Sequence, residues 1–152
     1  MPEKQSQFYR KAASVLLASF FVLFGMPRAI FAAPPADFQK TQIIGSGLDG
    51  PSGFDIAPDG RIFILERTGA IKIFKNGALL STPFVTLPSM ATGDRGLVGI
   101  TFDPNYNTNH FVYFYYTAAS DSLNHLVRFD ASGDTATGSA VELYHTNVPS
   151  TE

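Results

Sequence analysis

Apolar positions follow two different patterns along the chain. From Ala12 to Met26 they run with hardly a break (AASVLLASFFVLFGM), whereas beyond Gln39 they come in short bursts of Ile, Val, Phe and Tyr, each closed by Gly, Pro, Asn or Asp. Bursts of that kind, with no apolar stripe at helical spacing, predict strands joined by turns. The predicted strands are Thr41–Ile44, Gly53–Ala57, Arg61–Glu66, Ala70–Phe74, Leu97–Phe102, Phe111–Thr117, His125–Phe129 and Ala140–Tyr144. Arg67-Thr68-Gly69 makes a tight hairpin between two of them. Lys75-Asn76-Gly77 makes another, because Asn-Gly readily adopts positive φ.

An internal repeat narrows the architecture. Ile56-Ala57-Pro58-Asp59-Gly60 leads into one strand, and Phe102-Asp103-Pro104-Asn105 leads, after a longer loop, into another. The two prolines lie 46 residues apart. A period of about 40–50 residues with four strands marks a propeller blade, although a two-sheet sandwich also fits the same strands. Pro34 to Glu152 is 119 residues, about 2.6 such periods. Rings close with roughly four to eight blades. The expectation is therefore an all-β fold, an incomplete propeller of two to three blades at the front of a longer protein.

The first thirty-odd residues have the three parts of a secretory leader. Lys4, Arg10 and Lys11 form a positive start, the apolar run follows, and Pro27 precedes the small residues Ala29, Ala32 and Ala33 at a cleavage site. Fifteen residues of helix at about 1.5 Å each fall short of the roughly 30 Å hydrocarbon core, which favours a cleaved leader over a membrane anchor. Residues 1–33 are expected to be a signal peptide and 34–152 the propeller part. The absence of cysteine excludes a lipoprotein anchor, a thiolate metal site and disulfides. Release into a periplasm or the outside medium follows. Beyond the leader the chain carries seven positive and twelve negative side chains, a formal charge of −5. It has no basic stripe for a nucleic-acid backbone, and nucleic acid is excluded as a partner.

Gly50-Pro51-Ser52-Gly53-Phe54, then Pro58-Asp59-Gly60-Arg61-Ile62-Phe63-Ile64-Leu65-Glu66-Arg67 with Gly69, then Gly96-Leu97-Val98-Gly99-Ile100 followed by Asp103-Pro104, form a fairly specific set at characteristic separations. From about Phe38 to Val148 the chain resembles the amino-terminal part of the glucose/sorbosone dehydrogenase family, six-bladed propellers that use pyrroloquinoline quinone (PQQ). The resemblance implies an exported aldose dehydrogenase that oxidises a sugar hydroxyl with hydride transfer to the quinone. It also implies calcium. The general-base histidine of the family stands in a His-Gly-Gly block expected beyond Glu152, and the calcium ligands and quinone-binding cations lie further on, so no catalytic residue and no metal ligand is assigned here. The segment alone is expected to be inactive. A non-catalytic secreted propeller that binds a partner is the alternative on the same scaffold.

One family position falls inside the chain. Where sugar-oxidising members carry a glutamine near quinone and substrate, this chain has Asp94, followed by Arg95 and flanked by Gly93 and Gly96. A carboxylate in place of a neutral amide changes both charge and hydrogen bonding, and points away from glucose. Asp94 and Arg95 are the candidate substrate- and cofactor-proximal residues, on a loop at the propeller mouth; the alternative is a loop whose charges pair with neighbours or face water. His110, His125 and His145 have no metal-ligand spacing and receive no role. Glu66 and Arg67, which recur in the family pattern, are expected to form a blade-to-blade ion pair, with substrate contact as the alternative. Asp103 and Asn105 are expected to form a turn that satisfies its own backbone, and Phe111–Tyr116 to be core between blades.

Overall fold

A computed structural model describes residues 35–149; the predicted leader lies outside the described residues. The described chain is all-β apart from one short helix, and forms two antiparallel sheets. The first contains β1 (Pro51–Ile56), β2 (Ile62–Glu66) and β3 (Ala70–Lys75) in sequence order. Its fourth position is split: β4 (Ala78–Leu79) pairs with the end of β3 and β5 (Val85–Thr86) with its start. The second sheet is a four-stranded meander of β6 (Leu97–Phe102), β7 (Phe111–Thr117), β8 (Asn124–Asp130) and β9 (Thr137–His145). Helix α1 (Tyr106–Asn109) is inserted between β6 and β7.

The two sheets repeat each other down to a defect. In the first, the pairing of β1 with β2 slips between Pro51 and Gly53; in the second, β6 slips against β7 between Leu97 and Gly99. Both offsets equal the 46-residue spacing of the two prolines. A bulge at the same place in consecutive four-stranded units is a property of repeated blades, not of two unrelated halves of a sandwich. The register changes only after α1, which lengthens the second copy.

Strand alternation places the core between the blades. Phe63 and Leu65 on β2, Ile71 and Ile73 on β3, Leu97 on β6 and Val112 and Phe114 on β7 are all fully buried. Phe84, in the segment joining β4 to β5, is the hub: its ring meets Phe63 at 5.2 Å, Phe114 at 6.2 Å and Phe129 at 6.3 Å. The aromatic strand is thus half core, with Phe114 and Tyr116 buried while Tyr113 and Tyr115 alternate to the other face.

Most predicted strands form within a residue or two of their expected bounds. Thr41–Ile44 does not. No described strand lies there, and Ile43 and Ile44 instead line an apolar groove of ≈ 400 Å³ against Phe54, Ile56, Ile62 and Ile64. The two isoleucines lie against a face of β1 and β2, while the outer edge of β1 is unpaired among the described residues.

Candidate functional site

Register decides which loops meet. Pro51 pairs with Glu66, Leu97 with Tyr116, Thr117 with Asn124 and His125 with His145. One rim therefore carries the starts of β1 and β6, the ends of β2 and β7, the β7–β8 turn and the end of β9. The segment from Leu87 to Gly96, which contains Asp94 and Arg95, crosses this same rim between β5 and β6.

The Asp94 loop is fixed from the side of β2. Arg67 follows that strand, and its Nη2 donates to the carbonyls of Gly93 and, at 3.4 Å, Ala91. The Arg67 carbonyl accepts from the Leu97 N–H at 3.1 Å and from Ser89 Oγ at 3.3 Å. Gly96 has φ +142°, and a Cβ there would lie 2.7 Å from Arg67 Cγ and 2.8 Å from its carbonyl oxygen. Only glycine lets the loop pass so close to Arg67. Arg95 curls back on the loop, donating from Nη2 to Thr92 Oγ1 at 3.0 Å and from its backbone N–H to the Thr92 carbonyl at 3.1 Å. Asp94 is exposed, and its carboxylate has no hydrogen-bond or ionic partner among the described residues. The sequence-predicted pair is thus divided, with Arg95 turned onto Thr92 while Asp94 faces water.

The expected Glu66–Arg67 ion pair is not formed. Successive residues point to opposite sides at a strand end. Glu66 is buried and its Oε1 accepts the Asp49 N–H at 2.9 Å, while Arg67 takes the carbonyls of the next loop. The blade-to-blade link exists, but it runs from guanidinium to backbone. Asp103 behaves as the turn predicts: Oδ1 accepts from the Asn105 N–H and from Asn109 Nδ2, and Oδ2 from the Tyr113 hydroxyl. These hydrogen bonds hold its carboxyl below the usual range, with the Tyr113 contact foremost.

Two clusters escaped prediction. On the same rim as Asp94, buried His125 has a carboxylate at each ring nitrogen, Glu142 at 2.7 Å and Asp121 at 3.2 Å, and Glu142 also meets His145 at 2.9 Å. At the opposite end, Arg61 is 5% exposed and reaches Asp59, the Tyr106 hydroxyl, the Ala131 and Gly133 carbonyls and Asp134. Spacing gives little signal for either, because only Asp121–His125 and Asp59–Arg61 are local, while Glu142 meets His125 through the pairing of β8 with β9 and Arg61 meets its other partners across the two blades.

The two repeated sheets agree with what comparison with known proteins finds. Residues 48–152 match the glucose/sorbosone dehydrogenase family. The chain belongs to that family. It is 30% identical to the PQQ-bound aldose sugar dehydrogenase of Streptomyces coelicolor, with a TM-score of 0.60 over 77% of this chain and 36% of that one. It is 31% identical to a putative oxidoreductase (glucose dehydrogenase) of Thermus thermophilus, with a TM-score of 0.58 over 66% of this chain and 30% of that one. Human Hedgehog-interacting protein is 34% identical over 85 residues, 50% of this chain and 12% of that protein. The chain thus spans about a third of the solved relatives and an eighth of the human one. Its fold is two blades of a β-propeller of the sugar dehydrogenase type.

The described residues do not make a quinone or calcium site on their own. No three His, Asp or Glu side chains among them gather as a metal requires. The guanidinium of Arg67, which lies near the rim, is committed to carbonyls rather than open to a quinone carboxylate.

Proposed function

We propose that this chain forms the leading blades of an exported, PQQ-dependent aldose dehydrogenase, with residues 1–33 as a cleaved leader and 34–152 as the propeller part. The observation that carries it is the 30% identity, over 77% of the chain, to an aldose sugar dehydrogenase with the quinone bound. Quinone and calcium would be held by parts of the propeller that these residues do not supply. Within this segment, Asp94 is the residue placed to touch substrate. Its unpartnered carboxylate, on a loop braced by Arg67 and Gly96, accepts hydrogen bonds from sugar hydroxyls, and Arg95 sets the loop's curvature through Thr92.

The apolar face made by Phe54 and Ile56, 67% and 56% exposed, supports the same picture, since a neighbouring blade covers such a face in a closed propeller. The test is to express the complete protein, add PQQ and calcium, and follow dye reduction with a panel of aldoses. Sugar-dependent reduction is expected. None with any aldose would overturn the proposal.

A binding module without catalysis is the second possibility, favoured by the 34% identity to a protein named for its interaction with Hedgehog. A histidine followed by two glycines in the coding sequence beyond Glu152 separates the two. Its presence supports the enzyme and its absence the binder.

A further inference from the structure

His125 is 8% exposed and sits where three elements meet. Its Nδ1 is 2.7 Å from Glu142 Oε2 on β9, and its Nε2 is 3.2 Å from Asp121 Oδ2 on the β7–β8 turn. Glu142 Oε1 lies 2.9 Å from Nδ1 of His145, the cross-strand partner of His125. From β7, Tyr116 lays its ring against the imidazole at 5.7 Å. Asp121, Glu142, His145 and Tyr116 are thus the titratable groups that face His125 from the turn, from β9 and from β7.

A neutral imidazole has one N–H, so it satisfies one carboxylate and turns a lone pair towards the other. The imidazolium donates to both. We infer that Asp121, His125, Glu142 and His145 form a pH-sensitive clasp that ties the β7–β8 turn to the end of β9 while His125 is protonated and releases one of them when it is neutral. The clasp needs only the described residues and is independent of the dehydrogenase proposal.

Energetics and connectivity agree. Burial is the largest influence on His125 and opposes its charge, but the two carboxylates together outweigh it, so the pKa is raised above 6.5. Glu142 is held low, first by His145 and then by His125; Asp121 is held low, first by the Leu123 N–H and then by His125. Both stay anionic while His125 titrates. A histidine pKa raised on folding contributes stability that is complete below about 6.5 and lost as pH rises through the higher folded value. The consequence reaches the Asp94 segment. At the start of the turn, the Ala119 N–H donates to the Pro88 carbonyl, and the Met90 N–H donates to the Thr117 carbonyl, each at 2.9 Å. The rim is best ordered on the acid side.

The test follows the His125 ring resonances against pH by NMR in the intact chain, with amide protection of Leu123 and Thr146 corrected for intrinsic exchange. Leu123 donates its N–H to Asp121, and Thr146 to the Asn124 carbonyl. A midpoint above 6.5 is expected, with protection at one or both amides falling about tenfold for each unit by which the folded pKa exceeds the unfolded one. Glu142→Gln and Asp121→Asn, both at more exposed positions, are expected to lower the midpoint. A wild-type midpoint at or below 6.5, protection unchanged at both amides across the titration, or a midpoint unmoved in both variants would overturn the clasp.

Discussion

Arg61 and Tyr106 hold the two blades together from a distance of 45 residues: the guanidinium Nη2 donates to the tyrosine hydroxyl at 2.7 Å, both side chains being buried. The same Nη2 donates to the Ala131 carbonyl at 2.5 Å. Arg61 opens the returning strand of the first blade, whereas Tyr106 begins the helix inserted into the second. One cation thus ties the Pro-Asp-Gly turn of one repeat to α1 and the β8–β9 turn of the next. Removing it takes the donor from the Gly133 carbonyl and the Tyr106 hydroxyl, and leaves the Ala131 carbonyl with only the Tyr106 hydroxyl, at 3.2 Å. Arg61→Ala is expected to cost about 3 kcal/mol or more, measured by urea unfolding. Asp59→Asn should cost about 1 kcal/mol or less, because that carboxylate is 40% exposed.

The acid limb of stability has the same origin. Asp59 is pushed up by burial, its largest influence, but hydrogen bonds from the Arg61 side chain and backbone outweigh that and hold it below 3.8. Asp134 is held below 3.8 first by its hydrogen bond from Lys75. Depressed carboxyls contribute stability that is complete above their unfolded values and lost as pH falls through the folded ones. Below pH about 6.5, where the His125 contribution is complete, urea midpoints are expected to be flat down to pH about 4 and to fall below it. Asp59→Asn with Asp134→Asn should make that fall shallower. An unaltered acid limb in the double variant would show that other carboxylates dominate it.

How much of this could be read beforehand depends on the range of each contact. Pro58 and Pro104 announced the repeat because a turn is local, and the strands they bound formed close to where expected. β4 and β5 were invisible because two residues cannot show an alternation. The segment Thr41–Ile44 has strand composition, but its isoleucines lie against a face of β1 and β2 and do not pair along the sheet edge. Arg61 looked like the polar start of a strand, since nothing in Pro-Asp-Gly-Arg reveals that its partners stand 70 residues later. His125 and His145 carry no motif spacing because they meet across β8 and β9, whose register is interrupted by two irregularities. Asp94 was found by resemblance. Its lack of a partner came from the structure.

Phe84 provides a test of the core. It belongs to no strand, yet it is 2% exposed and contacts aromatic rings from both blades. Phe84→Ala should cost about 3–5 kcal/mol, as lost transfer energy and an unfilled cavity add. Folded domains hold only about 5–15 kcal/mol in reserve. Thermal unfolding is expected to shift strongly downward, with Phe84→Leu intermediate. A change smaller than that of Arg61→Ala would mean that the blades are joined more by their polar link than by this core.

Gly96 separates conformational strain from collision. Gly60 also has positive φ, +87°, but a Cβ there meets nothing within 4 Å. Gly60→Ala should therefore cost about 1 kcal/mol from strain alone. Gly96→Ala adds the collision with Arg67 to its strain, and about 3 kcal/mol is expected. Arg67→Ala in the same chain removes the Cγ that collides but leaves the carbonyl. Partial recovery of stability in the double variant, measured by a mutant cycle, is the expected outcome.

Asp94 distinguishes a functional residue from a structural one, because the two roles predict opposite pairs of measurements. Its carboxylate is exposed and has no partner among the described residues, so Asp94→Asn should alter stability by no more than about 0.5 kcal/mol. The amide removes the charge, yet it keeps the size and an acceptor oxygen. If Asp94 contacts sugar, the substitution in the complete, quinone-loaded protein should change the ranking of aldoses while the unfolding midpoint stays put. One charge-assisted hydrogen bond exchanged for a neutral one is worth about 1 kcal/mol, or roughly fivefold in kcat/KM for the sugars that use it. Thr92→Val is the companion variant, since it removes the Thr92 Oγ1 acceptor used by Arg95 without touching the carboxylate. It should lower turnover for all sugars alike by loosening the loop. Unchanged aldose ranking in Asp94→Asn, with Thr92→Val equally silent, would place the loop outside the substrate's reach.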